Sequence, residues 1–259
     1  MKQPALFLSH GAPTIALADD DFTRALTRHG KRLDSARALL VMSAHWESAG
    51  KALASSAERP ETIHDFGGFA AELHALHYPA RGEPALAADI VRRLSDAGLR
   101  AGLDPTRGLD HGVWTPLLHL RPLSDLPVVP LSLPRRRTPE DVVAMGRALS
   151  GLRDDGVALI GTGGITHNLA LLGLGANDAP TPEWARAFDA WAVERAGALD
   201  TAALCAYREH SEARLAVPSS EHFDPLLFAV GAAREDDAVT EIYRGFSLGA
   251  LSMACLAFG

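Results

Sequence analysis

Residues 38–47 read Ala38-Leu-Leu-Val-Met-Ser-Ala44-His45-Trp46-Glu47. The uncharged run is the length of a strand rather than of a buried helix, and its branched and long apolar side chains suit the interior of a sheet. It therefore predicts a buried strand that ends at His45. Ala5-Leu-Phe-Leu-Ser9 is the same kind of segment and stops at His10-Gly11-Ala12-Pro13. Leu126–Leu133 and Val157–Gly161 predict two more strands. Longer amphipathic stretches lie between them. Asp20–Lys31 and Pro84–Ala97 read as helices, the second with Leu86, Ile90, Val91 and Leu94 on one face and a stop at Gly98. Thr138–Leu152 opens Thr138-Pro139-Glu-Asp, a cap followed by proline and acids, as a helix start should. Pro180–Ala198 carries Trp184, Phe188 and Trp191 at helical spacing, which reads as core. For residues 246–258 the pattern does not separate strand from helix. Strands alternating with helices predict an α/β layer architecture, and with no repeat, linker or low-complexity tract it is read as one domain over residues 1–259.

Composition narrows the function. Hydrophobic residues make up 47% of the 259 and charged residues 22%, enough for a large core and too apolar for disorder. The net charge of −7 disfavours nucleic acid as a partner. The basic run Arg135-Arg136-Arg137 is expected to be a solvated turn before a helix. Two cysteines, Cys205 and Cys255, far apart and in no metal-like spacing, fit free thiols in a reducing cytoplasm. No apolar run has the length of a signal peptide core or a membrane span, so the expectation is a cytoplasmic protein without membrane contact.

Histidines carry the chemical signal. His10 and His45 follow the first two strands, where ligands bind in open α/β sheets. His167 follows the fourth in Gly161-Thr-Gly-Gly-Ile-Thr-His167-Asn168. His222 precedes an apolar helix over Pro225–Ala233, and His111 lies in Gly108-Leu-Asp-His111-Gly-Val-Trp114. Any one of them reads as a hydrogen-bonded structural residue. Five at loop junctions on a rigid scaffold point to a site, and imidazole is a common ligand of zinc and iron. Gly161-Thr-Gly-Gly164 lacks the lysine and spacing of a phosphate loop and reads as backbone making room for that site.

Taken together, these segments resemble the 4,5-DOPA extradiol dioxygenases, a branch of the class III (LigB-like) aromatic ring-opening dioxygenases. The matching stretches are Phe7-Leu-Ser-His-Gly-Ala-Pro-Thr14, Val41-Met-Ser-Ala-His-Trp-Glu47, His64-Asp-Phe66 with Tyr78-Pro-Ala80, Gly108–Leu117, Pro127–Leu133, Thr166-His-Asn-Leu169, Glu221-His-Phe-Asp-Pro-Leu-Leu227 and Ser247–Met253. The resemblance implies a central, mostly parallel sheet flanked by helices. It implies one mononuclear metal held by His10, His45 and His222, with His111 and His167 close by as catalytic residues. It also marks departures. The family often has an aromatic residue where Gly67 stands, proline at Ala70, tyrosine at His74 and histidine at Val217. The segment holding Gly67, Ala70 and His74 is expected to line the substrate pocket.

The implied reaction is opening of a catechol ring by dioxygen, giving a muconic semialdehyde type product. Iron(II) is the expected metal, because it can relay electrons between catechol and dioxygen as zinc cannot. Zinc binds such nitrogen sites more tightly and is expected as a possible occupant on isolation. His111 is assigned first, and His167 second, to acid–base work, with Asn168 orienting His167; the alternative for His111 is a brace in a glycine-rich turn. Glu221 and Asp110 are candidates to orient imidazoles. Two other functions stay open at this point: a zinc-dependent hydrolase on the same scaffold, and a metal-binding protein without catalysis.

Overall fold

The computed structural model describes residues 2–173 and 180–259; Met1 and residues 174–179 of the expected domain lie outside the described residues. The strands are β1 (Ala5–Ser9), β2 (Ala38–Ser48), β3 (Ala52–Ser55), β4 (Ala101–Asp104), β5 (Val128–Pro134), β6 (Val157–Gly163), β7 (Val239–Tyr243), β8 (Phe246–Ser247), β9 (Leu251–Ser252) and β10 (Cys255–Phe258). Eight form one sheet in the order β4-β3-β5-β2-β6-β1-β10-β7, and β8 pairs with β9 alone. The central strands β5, β2, β6 and β1 are mutually parallel. β3 runs antiparallel to β5, and β10 antiparallel to β1. The result is a single α/β domain with a mostly parallel sheet, as expected.

Period-two alternation splits the buried side chains between two cores. Phe7, Leu40, Met42 and Leu159 face one layer, which contains α3 (Pro84–Asp96), α5 (Pro139–Leu149), α6 (Glu183–Gly197) and α9 (Asp224–Ala232). Leu6, Leu8, Leu39, Val41 and Ile160 face the other, against α1 (Asp21–Gly30) and α4 (His111–Leu120). A sheet covered on both faces requires strands without charge, which is the pattern residues 5–9 and 38–44 show. Shorter helices α2 (Ala71–His74), α7 (Thr201–Cys205) and α8 (Ala213–Ala216) fill the connections. Asp20 and Thr138 cap α1 and α5 through reciprocal capping boxes, so both helices begin one residue beyond the expected start. Phe188 is fully buried and Trp184 and Trp191 pack beside it.

Two expectations are corrected by the fold. β2 does not end at His45 but continues to Ser48, with a register shift against β5 between Met42 and Glu47. Arg137 is not solvated: its side chain is 4% exposed and paired with Glu47 and Asp224. β3 and β4 carry no strand signal in sequence, because Ala-Leu-Ala-Ser and Ala-Gly-Leu-Asp contain no β-branched residue. Residues 246–258 hold strands β8, β9 and β10 with a turn at 248–250 and no helix, since β10 gains its backbone partners from β1 and β7. Both cysteines are free. Among the described residues no helix is long and apolar enough to cross a membrane.

Candidate metal centre

Each histidine is delivered by a local device. His10 leaves the end of β1 with its backbone N–H on Gly163 O, and Gly11, at φ +58, turns the chain sharply after it. His45 sits where β2 bulges off the β5 ladder, which re-aims a side chain that regular pleating would send elsewhere. His222 is laid onto β6 by a very close backbone approach. A Cβ on Gly163 would stand 2.1 Å from His222 O, and one on Gly161 would stand 2.1 Å from Pro225 O. Gly164 N–H completes the contact by donating to His222 O at 2.8 Å. Gly161 and Gly163 of Gly161-Thr-Gly-Gly164 thus do make room for the site.

The three imidazoles converge, with one potential ligand atom from each lying within 4.8 Å of the others. His45 Nε2 and His10 Nε2 are 3.0 Å apart, and the His222 ring centroid is 5.3 and 5.0 Å from those of His10 and His45. His222 Nε2 is buried without a protein hydrogen-bond partner among the described residues, as is His10 Nδ1. Glu221 Oε1 stands 3.1 Å from His222 Nδ1 and so fixes which nitrogen of that ring faces the cluster. Burial, then the surrounding imidazoles, depress the pKa of His10 strongly and that of His45 to about 2. Both rings are therefore neutral at ordinary pH, the form that donates a lone pair to a metal. An orphaned buried nitrogen on His222 beside the neutral rings of His10 and His45 is a donor set that fits a divalent transition metal.

His111 and His167 flank this cage. The His111 ring lies 4.0 Å from that of His45, and His167 stacks on His222 at 3.4 Å with planes 6° apart. Burial, followed by His222, lowers His167 to about 3. Asp65, in sequence only the middle residue of His64-Asp-Phe66, proves to hold His111. Its Oδ1 accepts from the His111 backbone N–H at 2.8 Å and lies 3.1 Å from Nδ1, off the line of that ring's N–H. Its Oδ2 is 3.6 Å from His45 Nδ1. Burial raises the Asp65 carboxyl, but contacts with His111 outweigh this and hold it at about 2. No local pattern pairs residue 65 with residue 111, so this role of Asp65 has no sequence signal of its own. Two supporting roles are corrected. Asp110 meets Ser43 Oγ and Arg107 rather than an imidazole, and Asn168 bonds Leu215 O and Ala170 N–H rather than His167.

Of the pocket candidates, Gly67, Ala70 and His74 are all exposed. A Cβ on Gly67 would meet nothing within 4 Å. The segment reaches the site through Phe66, whose ring is 5.0 Å from His74 and 5.7 Å, edge to face, from His111.

Fold and site together define an α/β protein with a three-imidazole cluster, suited to a metal, at the carboxyl edge of its parallel strands. The family described as the catalytic LigB subunit of aromatic ring-opening dioxygenase matches residues 4–255. The chain belongs to that family, whose enzymes are ring-cleaving oxidoreductases. It is 37% identical to an Escherichia coli protein named 4,5-DOPA dioxygenase extradiol, over 100% of this chain and 95% of that one. It is 34% identical to the Beta vulgaris protein of the same name, covering 97% and 95%. A solved structure of an uncharacterised protein from Escherichia coli K12 superposes with a TM-score of 0.86 at 33% identity, covering 99% of this chain and all of that one.

Proposed function

We propose that the protein opens the ring of a small catechol, DOPA-like ones included, with both atoms of dioxygen entering a muconic semialdehyde type product. The observation that carries this reading is the cage of His10, His45 and His222 with two further imidazoles on its flanks. Iron(II) held by those three residues would supply the electron relay that lets dioxygen react with a catechol. The remaining work falls to the chain's own side chains. His111, anchored through its backbone N–H on Asp65, would take a proton from a catechol hydroxyl at Nε2 and later return one to the leaving oxygen. His167, held neutral and stacked on His222, positions the substrate and keeps water from that side of the cage. Phe66 offers an aromatic edge to the ring, while Gly67, Ala70 and His74 leave the outer wall open.

Anaerobic reconstitution with iron(II), followed by oxygen uptake and product absorbance across a panel of catechols, tests this. Stoichiometric oxygen consumption and a new semialdehyde chromophore are expected. An iron-loaded protein that consumes no oxygen with any catechol, yet hydrolyses esters or amides with zinc in the absence of oxygen, would replace this reading with a hydrolase.

A further inference from the structure

Arg137 is the residue of the 135–137 run that the fold buries. It leaves the end of β5, the strand against which β2 bulges. The β2–β5 ladder stops at Met42↔Leu131 and resumes at Glu47↔Leu133, so the segment carrying His45 is an arch closed at Glu47. Arg137 Nη1 donates to Glu47 Oε1 at 2.6 Å and to Pro134 O at 2.9 Å. Its Nε donates to Asp224 Oδ2 at 2.6 Å, and Nη2 is equally close to that oxygen. Glu47 lies two residues after His45, and Asp224 two residues after His222. The Asp224 side chain is 2% exposed, so this pairing is shielded from water and salt. One planar guanidinium with donors on fixed vectors therefore ties the foot of the His45 arch to the first turn of α9, just past His222.

We propose that Arg137 is a positioning residue that sets the separation of His45 and His222, and thereby the affinity and geometry of the metal held between them. The proposal rests on the three-histidine reading of the metal centre. A lysine would keep the charge but, as a point donor, would not hold both carboxylates at fixed directions.

Three variants test it: Arg137→Lys; Arg137→Met combined with Asp224→Asn, which leaves no buried charge unpaired; and Glu47→Gln, which spares the buried Arg137–Asp224 pair. Arg234→Met with Asp154→Asn, a partly exposed ion pair just past the end of α9 opposite to His222, is the control. Zinc affinity is read by chelator competition, and site geometry by the visible absorption of the cobalt(II)-loaded protein. Zinc Kd should rise about 10- to 100-fold in the first two variants, the scale for groups that orient ligands. It should rise less in Glu47→Gln, and the cobalt bands should shift in all three while the control matches wild type. Folded variants with wild-type Kd and cobalt spectra would reduce Arg137 to a structural ion pair. If both arginine variants fail to fold, an unchanged Glu47→Gln overturns the proposal by itself. A wild type that binds neither metal removes the three-histidine reading and the proposal with it.

Discussion

At the residue scale the proposed function divides the histidines between holding a metal and transferring a proton. His10, His45 and His222 each offer a nitrogen to a common space, so replacing any one with alanine should abolish stoichiometric metal while leaving the far-ultraviolet spectrum unchanged. Metal analysis after dialysis checks this, and full occupancy in the triple variant would refute the assignment. In the proposed reaction His111 moves the proton from beside the cage, its ring 4.0 Å from that of His45. His111→Ala should keep its metal yet lose turnover by about 100- to 10,000-fold, the range of general acid–base contributions. A two- or threefold loss, or loss of metal, would mean that His111 is a brace in its turn. His167→Ala should lose less. Gly67 has open space around it, so Gly67→Tyr should be tolerated and should narrow the range of catechols accepted. The change belongs in relative kcat/KM across the panel, because pocket contacts of this size shift preference by about 1–3 kcal/mol without altering the reaction.

Among the elements, the closest fit lies between β6 and the segment that enters α9. Gly163 has His222 O where a side chain would begin, so Gly163→Ala must push the His222 loop away or bend β6. It should weaken metal binding and lower Tm together. Gly197, at the end of α6, has nothing within 4 Å of its Cβ position, and Gly197→Ala should be neutral or stabilising by up to about 1 kcal/mol. A thermal scan of the two variants separates close backbone approach from simple helix propensity. The same approach recurs deeper in the layer. Gly231 of α9 faces Val143 O and Gly146 of α5 faces Phe228 O, so the helix that follows His222 is seated backbone to backbone. Added side chains there would displace the entire helix rather than one loop.

For the whole molecule, the buried imidazoles give metal-free stability a definite dependence on acid. His29 is lowered by burial, then by Arg32, to about 4; His45 to about 2 and His167 to about 3. Each has a folded pKa below its unfolded value near 6.5. Between those values only the unfolded chain takes up the proton, so the contribution is complete above about pH 6.5 and is lost as pH falls. Each such group adds a slope of up to about 1.4 kcal/mol per pH unit. Urea midpoints of the metal-free protein should therefore drop steadily from pH 7 to pH 5, and His29→Leu should flatten the curve by one proton's worth. Flat midpoints over that range would contradict the burial of these rings. Below about pH 4, Asp65 and Glu221, both held near 2, should steepen the loss. Much of this molecule was legible in its residues. Uncharged runs at 5–9, 38–44, 126–133 and 157–161 prescribe buried strands, because a strand covered on both faces cannot carry unpaired charge. Histidines at their ends prescribe a site on that edge. The resemblance supplied which histidines belong together, and the fold brings all five to one place. What tertiary structure alone decided lies in contacts that no local pattern encodes. Asp65 reaches His111 across 46 residues of chain, and Arg137 crosses 90 to Glu47 and 87 to Asp224. An arginine in a turn and an arginine buried between two carboxylates read alike in sequence. They differ only when the fold withdraws water and puts the partners opposite, and the same withdrawal of water keeps His10, His45 and His167 neutral.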